Sequence, residues 1–109
     1  MSNSNDFRQI ALSFADTSEV PHFEKQAFRS KKKIFATLME AEALGVALLT
    51  PAEQYVFSKI NEKNIYPVPN KWGLKGATYL VLKNIPKKIL KEILRAAYSI
   101  SLEPPPSKK

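Results

Sequence analysis

The stretch KKIFATLMEAEALGVALLTPAE, residues 32–53, decides the fold, because it holds two apolar runs, a polar break and a helix start in that order. Aromatic and β-branched residues favour strands in KKIFATLMEAE and ALGVALL, which the short break around Ala41–Ala43 separates. Thr50 can cap the helix that follows, with Pro51 at its first position and Glu53 placed to complete a capping box. The stretch therefore predicts two strands and then a helix to about Asn61.

This predicted helix has one apolar side. Tyr55, Val56 and Ile60 are spaced to lie together on a helix, with Lys59 among them.

Outward from this stretch, the N-terminal side adds a helix and a strand. Asp6, or Asn5 before it, can cap a helix whose Phe7, Ile10, Ala11 and Phe14 recur at helical period, and which we expect to end near residues 16–18. The segment HFEKQAFRS, residues 22–30, then reads as a further strand. Together with the two runs above, it predicts an antiparallel meander of three strands.

The C-terminal side adds a loop, a strand and a last helix. Prolines bracket IYPVPNKWGLKG, residues 65–76, and predict a loop, whereas ATYLVLK, residues 77–83, predicts a strand. Pro86 can open a helix with a wide apolar face that lies opposite Lys87, Lys88, Lys91 and Arg95. The predicted order α-β-β-β-α-β-α indicates an α+β fold in which helices pack on an antiparallel β-sheet.

Length and composition predict one domain. The chain has 109 residues and 44% hydrophobic content, which suits a single core over residues 1–103, followed by a disordered Pro/Lys tail at 104–109. No apolar run reaches the roughly 18 residues of a membrane span, and the N-terminus lacks the pattern of a secretory signal. We expect a cytoplasmic protein that makes no membrane contact.

Catalytic and metal-binding patterns are not found in the sequence. The chain has no cysteine, so disulfides, thiolate nucleophiles and cysteine-based zinc sites are excluded. His22 is the single histidine, for which a structural role is favoured, although Glu24 or a distant serine could partner it in space. Zincin, nucleophile-elbow, Walker and dinucleotide motifs are not present. We predict a non-enzymatic protein with no catalytic residue, no cofactor and no metal site.

Positive charge is concentrated in two windows without an acidic residue. The formal net charge is +7; residues 25–33 hold five basic residues, and residues 63–91 hold seven lysines. The charges either solubilise separate surfaces or, if the windows meet in space, create one positive face that attracts a polyanion. The sequence leaves these two interpretations balanced.

The only tryptophan, Trp72, lies between Lys71 and Lys75 in the predicted loop. The favoured interpretation is that its indole covers the sheet edge as part of the core. The alternative is that the indole stacks on an unpaired base or wedges against a groove of DNA, with the lysines on phosphates.

Three stretches resemble the MmcQ/YjbR family of small bacterial proteins. They are PHFEKQAFRSKKKIFATL (21–38), TPAEQ (50–54) and YPVPNKWGLKGATYLVL (66–82). The resemblance implies a CyaY-like α+β fold, described for the family as a double-wing DNA-binding motif. It transfers no catalytic set, and Ala77 stands where we expect a second aromatic residue in relatives.

These observations favour a non-enzymatic DNA-binding protein, with RNA left open as the ligand. The candidate contacts are Arg29, Lys31, Lys32, Lys33, Lys71, Trp72 and Lys75. The alternative is a regulatory adaptor that recognises an acidic protein partner through the same surface. Metal handling of the frataxin type is disfavoured, because the acidic residues are dispersed along the chain.

Overall fold

Six strands and four helices make up the fold in the computed structural model, which describes residues 2–22 and 25–103. The predicted tail 104–109 and the side chain of His22 lie outside the described residues. The elements are α1 (Ser4–Leu12), β1 (Ser18–His22), β2 (Lys25–Arg29), β3 (Ile34–Met39), β4 (Leu44–Leu48), α2 (Pro51–Ile60), β5 (Ile65–Pro67), α3 (Lys71–Leu74), β6 (Ala77–Val81) and α4 (Lys87–Leu102).

The strands form one antiparallel sheet in the order β1-β2-β3-β4-β6-β5. This confirms the predicted α+β class and the meander of β2, β3 and β4. The two edge strands contain Pro21 and Pro67, which sequence reasoning disfavours in central strands. A proline at an edge removes a donor that would otherwise invite pairing with another chain.

Four elements differ from the sequence prediction. The first helix ends at Leu12 instead of near residue 16, and Ser18–His22 forms a strand against β2. The predicted loop 65–76 contains both β5 and the short helix α3. These segments are held by pairing and capping contacts with neighbours, and such contacts leave no periodic pattern in the chain.

The cap of α1 also lies elsewhere. The side chain of Asn3 accepts a hydrogen bond from the backbone N–H of Asp6 at 2.8 Å, and the Asp6 carboxylate accepts from the N–H of Asn3 at 3.0 Å. Asp6 therefore closes a capping box as its third helical residue instead of serving as the cap.

One face of the sheet carries the core. α1 and α4 pack on this face, where Leu38 and Leu80 are fully buried together with Phe7 of α1. Gly45 lies beneath the ring of Phe7, since a Cβ built at this glycine would lie 2.5 Å from Cε2 of Phe7. The predicted apolar face of α4 is confirmed by the burial of Leu90, Ile93, Leu94 and Ala97.

The opposite face of the sheet, called the open face below, shows the other set of alternating residues. Thr37 pairs with Val46, and Val46 with Tyr79, so these three side chains share the open face. β3 has one extra residue opposite the step from Phe28 to Arg29 in β2, because Phe28 pairs with Ala36 and Arg29 with Ile34.

The start of α2 is predicted correctly. The Oγ1 of Thr50 accepts from the N–H of Glu53 at 3.1 Å, and Pro51 occupies the first turn. The return bond of a capping box is not formed: Oε1 of Glu53 is buried and has no partner among the described residues. The apolar stripe of the helix faces solvent, since Tyr55, Val56 and Ile60 are exposed, whereas Gln54 is buried.

Candidate nucleic-acid interface

Trp72 is carried by a tightly fixed turn. Asn70 caps α3 by accepting a hydrogen bond from the N–H of Trp72 at 2.8 Å. At Gly73, any Cβ would lie 1.7 Å from the carbonyl oxygen of Val68, so only glycine fits beneath that strand end. Gly76 has a φ of +117°, a conformation that favours glycine. The backbone on both sides of the indole is therefore held in one conformation.

A buried amide fastens this turn to α2. The Nε2 of Gln54 donates to the carbonyl oxygens of Gly73 and Ala77, each at 3.0 Å. A buried side-chain amide requires hydrogen-bond partners, and both hydrogen bonds of Gln54 go to the segment that follows Trp72. The predicted loop is thus an anchored structure.

The indole of Trp72 is 65% exposed, so the favoured expectation that it belongs to the core is wrong. The reason lies in the turn: Gly73 is the residue that packs against Val68, and its neighbour Trp72 projects into solvent. Lys75 lies beside the ring, with its Nζ 5.7 Å from the ring centroid. This distance is within reach of a cation–π contact.

Two depressions adjoin the indole. The first, the lysine pocket, has a volume of about 330 Å³ and is lined by Lys33 and Lys75, with Leu49 and Ile100 among its apolar walls. The second, the sheet groove, has a volume of about 470 Å³ and lies on the open face. Its lining includes Lys25, Thr37, Met39, Val46, Asn70 and Tyr79. Both volumes are within the usual range for ligand sites.

Trp72 belongs to the lining of both depressions, together with Ile34, Leu48 and Ala77. The indole therefore stands on the boundary between a pocket edged by lysines and a groove with a largely aliphatic and aromatic floor. A ligand with an anionic part and a flat apolar part could contact both depressions at once.

The two basic windows meet at this boundary, although only in part. Lys25 and Lys33 come from the first window, and Lys75 comes from the second. In the described part of the chain, no acidic residue lines either depression. The positive charge of the site is therefore not neutralised by its own lining.

The remaining lysines of the second window lie elsewhere. Lys87, Lys88 and Lys91 are exposed on α4, which packs on the core face of the sheet. The Nζ of Lys87 is 3.4 Å from Oδ1 of Asp6 on α1. Lys88 is about 18 Å along the helix axis from Ile100, where α4 reaches the lysine pocket. Four of the seven predicted site residues also line neither depression.

Of the seven predicted site residues, the structure brings Lys33, Trp72 and Lys75 together in the lysine pocket. Arg29 pairs with Ile34 and so shares the open face, and its Nη2 donates to the carbonyl oxygen of Lys32 at 3.2 Å. Lys31 and Lys32 are exposed in the turn between β2 and β3, and Lys71 is exposed on α3. None of these four lines either depression.

Sequence reasoning missed the residues of the groove floor. Thr37, Met39 and Tyr79 lie on alternate positions of β3 and β6, so the period-two pattern of each strand could have grouped them. The ring of Tyr79 also lies 5.6 Å from the ring of Tyr66, measured between centroids. Although Ala77 is small, an aromatic side chain two residues later contributes to the same groove as Trp72.

Within residues 2–22 and 25–103, no three acidic or histidine side chains are grouped so that they could hold a metal ion. No helix in this part of the chain is long and apolar enough to cross a membrane.

Comparisons with known proteins place the fold. The chain matches no protein-family model, and it matches no curated protein. Among solved structures it is similar to the Deinococcus radiodurans protein DR2400, which has a domain of the DUF419 family, with a TM-score of 0.76. The two chains are 18% identical, and the match covers 92% of this chain and 78% of the other. At this identity the similarity shows a shared fold.

Proposed function

We propose that this protein binds nucleic acid, with DNA as the ligand, through the surface around Trp72, where the open face adjoins the lysine pocket. The proposal rests on one observation: a largely exposed indole lies on a fixed turn between two depressions, each of which has lysine in its lining. Lysines neutralise phosphates, and an exposed aromatic ring offers a surface on which a base can stack.

The way in which Trp72 is held supports a binding role. Burying a tryptophan side chain stabilises the fold, and an exposed one does not make this contribution. An exposed tryptophan therefore indicates a binding surface more strongly than an exposed lysine does. Here the turn is further fixed by the hydrogen bond from Gln54 and by the close backbone contacts at Gly73 and Gly76. Such a rigid aromatic residue loses little conformational entropy when a ligand stacks on it.

Membership of the MmcQ/YjbR family and a cytoplasmic location are part of the same proposal. The DUF419 domain of the structural neighbour is related to that family, and the quoted stretches around Phe28, Thr50 and Trp72 resemble it. We propose no enzymatic reaction, because the site presents lysines and apolar side chains without an arranged acid, base or nucleophile in the described residues.

A fluorescence titration tests the proposal. Trp72 is the single tryptophan, so its emission reports on the site alone. DNA should change this emission and bind more weakly as salt rises, with log K falling against log salt by about 0.9 for each duplex phosphate neutralised, or about 0.7 for a single strand. Failure to bind any DNA at low salt would remove the proposal.

A protein-binding adaptor remains the second candidate, and a separate observation favours it. Tyr55, Val56 and Ile60 form an exposed apolar stripe on α2, and Leu74 is 81% exposed on α3. Clustered exposed apolar side chains are typical of protein-interaction surfaces. A pull-down from nuclease-treated lysate should then recover one stoichiometric protein, and replacing Val56 and Ile60 by serine should abolish its recovery.

A further inference from the structure

We propose that the surface around Trp72, where the open face adjoins the lysine pocket, binds single-stranded DNA in preference to duplex, with an unpaired base stacked on Trp72 over the sheet groove and the adjoining phosphates against Lys33 and Lys75. This inference rests on the proposed function and adds to it the class of nucleic acid and the position of its parts.

The position of the indole favours an unpaired base. Trp72 forms a wall shared by two depressions, so a flat group that contacts the ring also enters the sheet groove. In a duplex both faces of each base are covered by its stacked neighbours, whereas a single strand can turn its bases out onto an aromatic side chain.

The elements around Trp72 suit a groove for a single strand better than a reader of duplex DNA. Reading the major groove of a duplex requires an inserted helix or a two-stranded ribbon. The helix that carries Trp72 has only four residues, Lys71–Leu74, and Gln54 ties its end to α2. The open face instead offers an aliphatic and aromatic floor of Met39, Val46 and Tyr79.

The chemistry of the two depressions matches the two parts of a nucleotide. The apolar floor of the sheet groove complements the face of a base. Lys33 and Lys75 line the neighbouring pocket, and no acidic residue of the described chain lines it with them. Since Lys75 also lies 5.7 Å from the indole centroid, a phosphate at this lysine adjoins a base at the ring.

Fluorescence anisotropy of dye-labelled oligonucleotides tests the inference directly. The probes are oligo(dT), the same strand annealed to oligo(dA), and oligo(rU) of equal length, each at one fixed low salt concentration. We expect oligo(dT) to bind about tenfold or more tightly than the duplex, because stacking of one base is worth roughly tenfold or more in affinity, and to bind no more weakly than oligo(rU).

Two substitutions of Trp72 test whether its indole supplies the stacking contact with oligo(dT). Trp72→Ala should weaken oligo(dT) binding by about tenfold, whereas Trp72→Phe should retain part of the affinity. Leu74→Ala is the matched control, since Leu74 is exposed on the same helix and lines neither depression. Its affinity for oligo(dT) should equal that of the wild type.

The outcomes separate this inference from the proposed function. Equal or tighter binding of the duplex would overturn the inference and leave nucleic-acid binding intact. Tighter binding of oligo(rU), or an unchanged affinity for oligo(dT) in Trp72→Ala, would also overturn it. If none of the three probes binds, both proposals are wrong.

Discussion

The side-chain amide of Gln54 donates to the carbonyl oxygen of Gly73 at 3.0 Å, and this bond holds the turn that presents Trp72. The same amide donates to the carbonyl of Ala77, so one buried side chain connects α2 to both ends of the segment after the indole. The exposure of Trp72 therefore depends on a residue 18 positions earlier in the chain.

Replacing Gln54 by leucine should destabilise the protein by about 2 kcal/mol, because two hydrogen bonds of about 1 kcal/mol each are lost while the side-chain volume is nearly kept. Urea unfolding, followed by circular dichroism, measures this free energy. The control is Val56→Ala on the exposed side of α2, which should change stability by less than about 0.5 kcal/mol. An equal effect of the two substitutions would contradict the role given to Gln54.

Alanine at Gly73 or Gly76 should each destabilise the fold by about 2–3 kcal/mol. A Cβ would lie 1.7 Å from the carbonyl oxygen of Val68 in the first case and 1.7 Å from that of Leu49 in the second, where φ is also +117°. Neither backbone carbonyl can move without displacing its strand end. Leu74→Ala between them should be nearly neutral in thermal unfolding, and a neutral Gly76→Ala would show that the turn is not fixed as described.

The ion pair between Arg8 and Glu40 should make the free energy of unfolding depend on pH in the acidic range. The side-chain hydrogen bonds from Arg8, at 3.0 and 3.1 Å, lower the pKa of Glu40 below its usual 4.5. A carboxylate with a lowered folded-state pKa stabilises the protein above its unfolded value and loses this contribution as the pH falls through the folded value.

The Glu40→Gln variant should therefore be less stable than the wild type at neutral pH, and the difference should shrink as the pH falls below about 4.5. Urea midpoints across this range measure the effect. Glu42→Gln is the matched control, because Glu42 lies on the same short turn and no ion pair involves it in the described residues. A pH-independent difference would contradict the assignment.

Iodide should quench the emission of Trp72 more efficiently than caesium does. The ring is exposed and Lys75 lies beside it, so an anionic quencher is attracted and a cationic one is repelled. Lys75→Gln should reduce the ratio of the two quenching constants, whereas Lys88→Gln on α4 should leave it unchanged. Equally weak quenching by both ions would mean that the indole is buried.

Local sequence signals predicted the elements that are defined locally. Pro86 and the helical spacing of the apolar residues after it predicted α4, and Thr50 with Pro51 predicted the start of α2. β1, β5 and α3 could not be predicted in this way, because Pro21 and Pro67 argue against strands unless the chain is known to run along a sheet edge.

Local sequence signals likewise predicted only part of the candidate site. Charge and composition pointed to Lys33, Trp72 and Lys75, which the structure places around one pocket. The groove floor depends on the register that pairs Val46 with both Thr37 and Tyr79, and this register is a property of the folded sheet. The orientation of the indole likewise depends on the long-range bond from Gln54.

A comparison of two double variants with equal loss of charge tests most directly whether the surface around Trp72 binds DNA. Lys33→Gln/Lys75→Gln removes the ammonium groups of the lysine pocket, and Lys88→Gln/Lys91→Gln removes two from the outer side of α4. The affinity of each for oligo(dT), measured over a range of salt concentrations, separates a specific face from the general attraction of a basic protein.

We expect the pocket variant to bind more weakly than the wild type and to lose about 1.4 from its salt slope, which is two single-strand phosphate contacts of about 0.7 each. The α4 variant should keep the wild-type slope. Equal losses in the two variants, or a larger loss in the α4 variant, would contradict binding at the face that Trp72 marks.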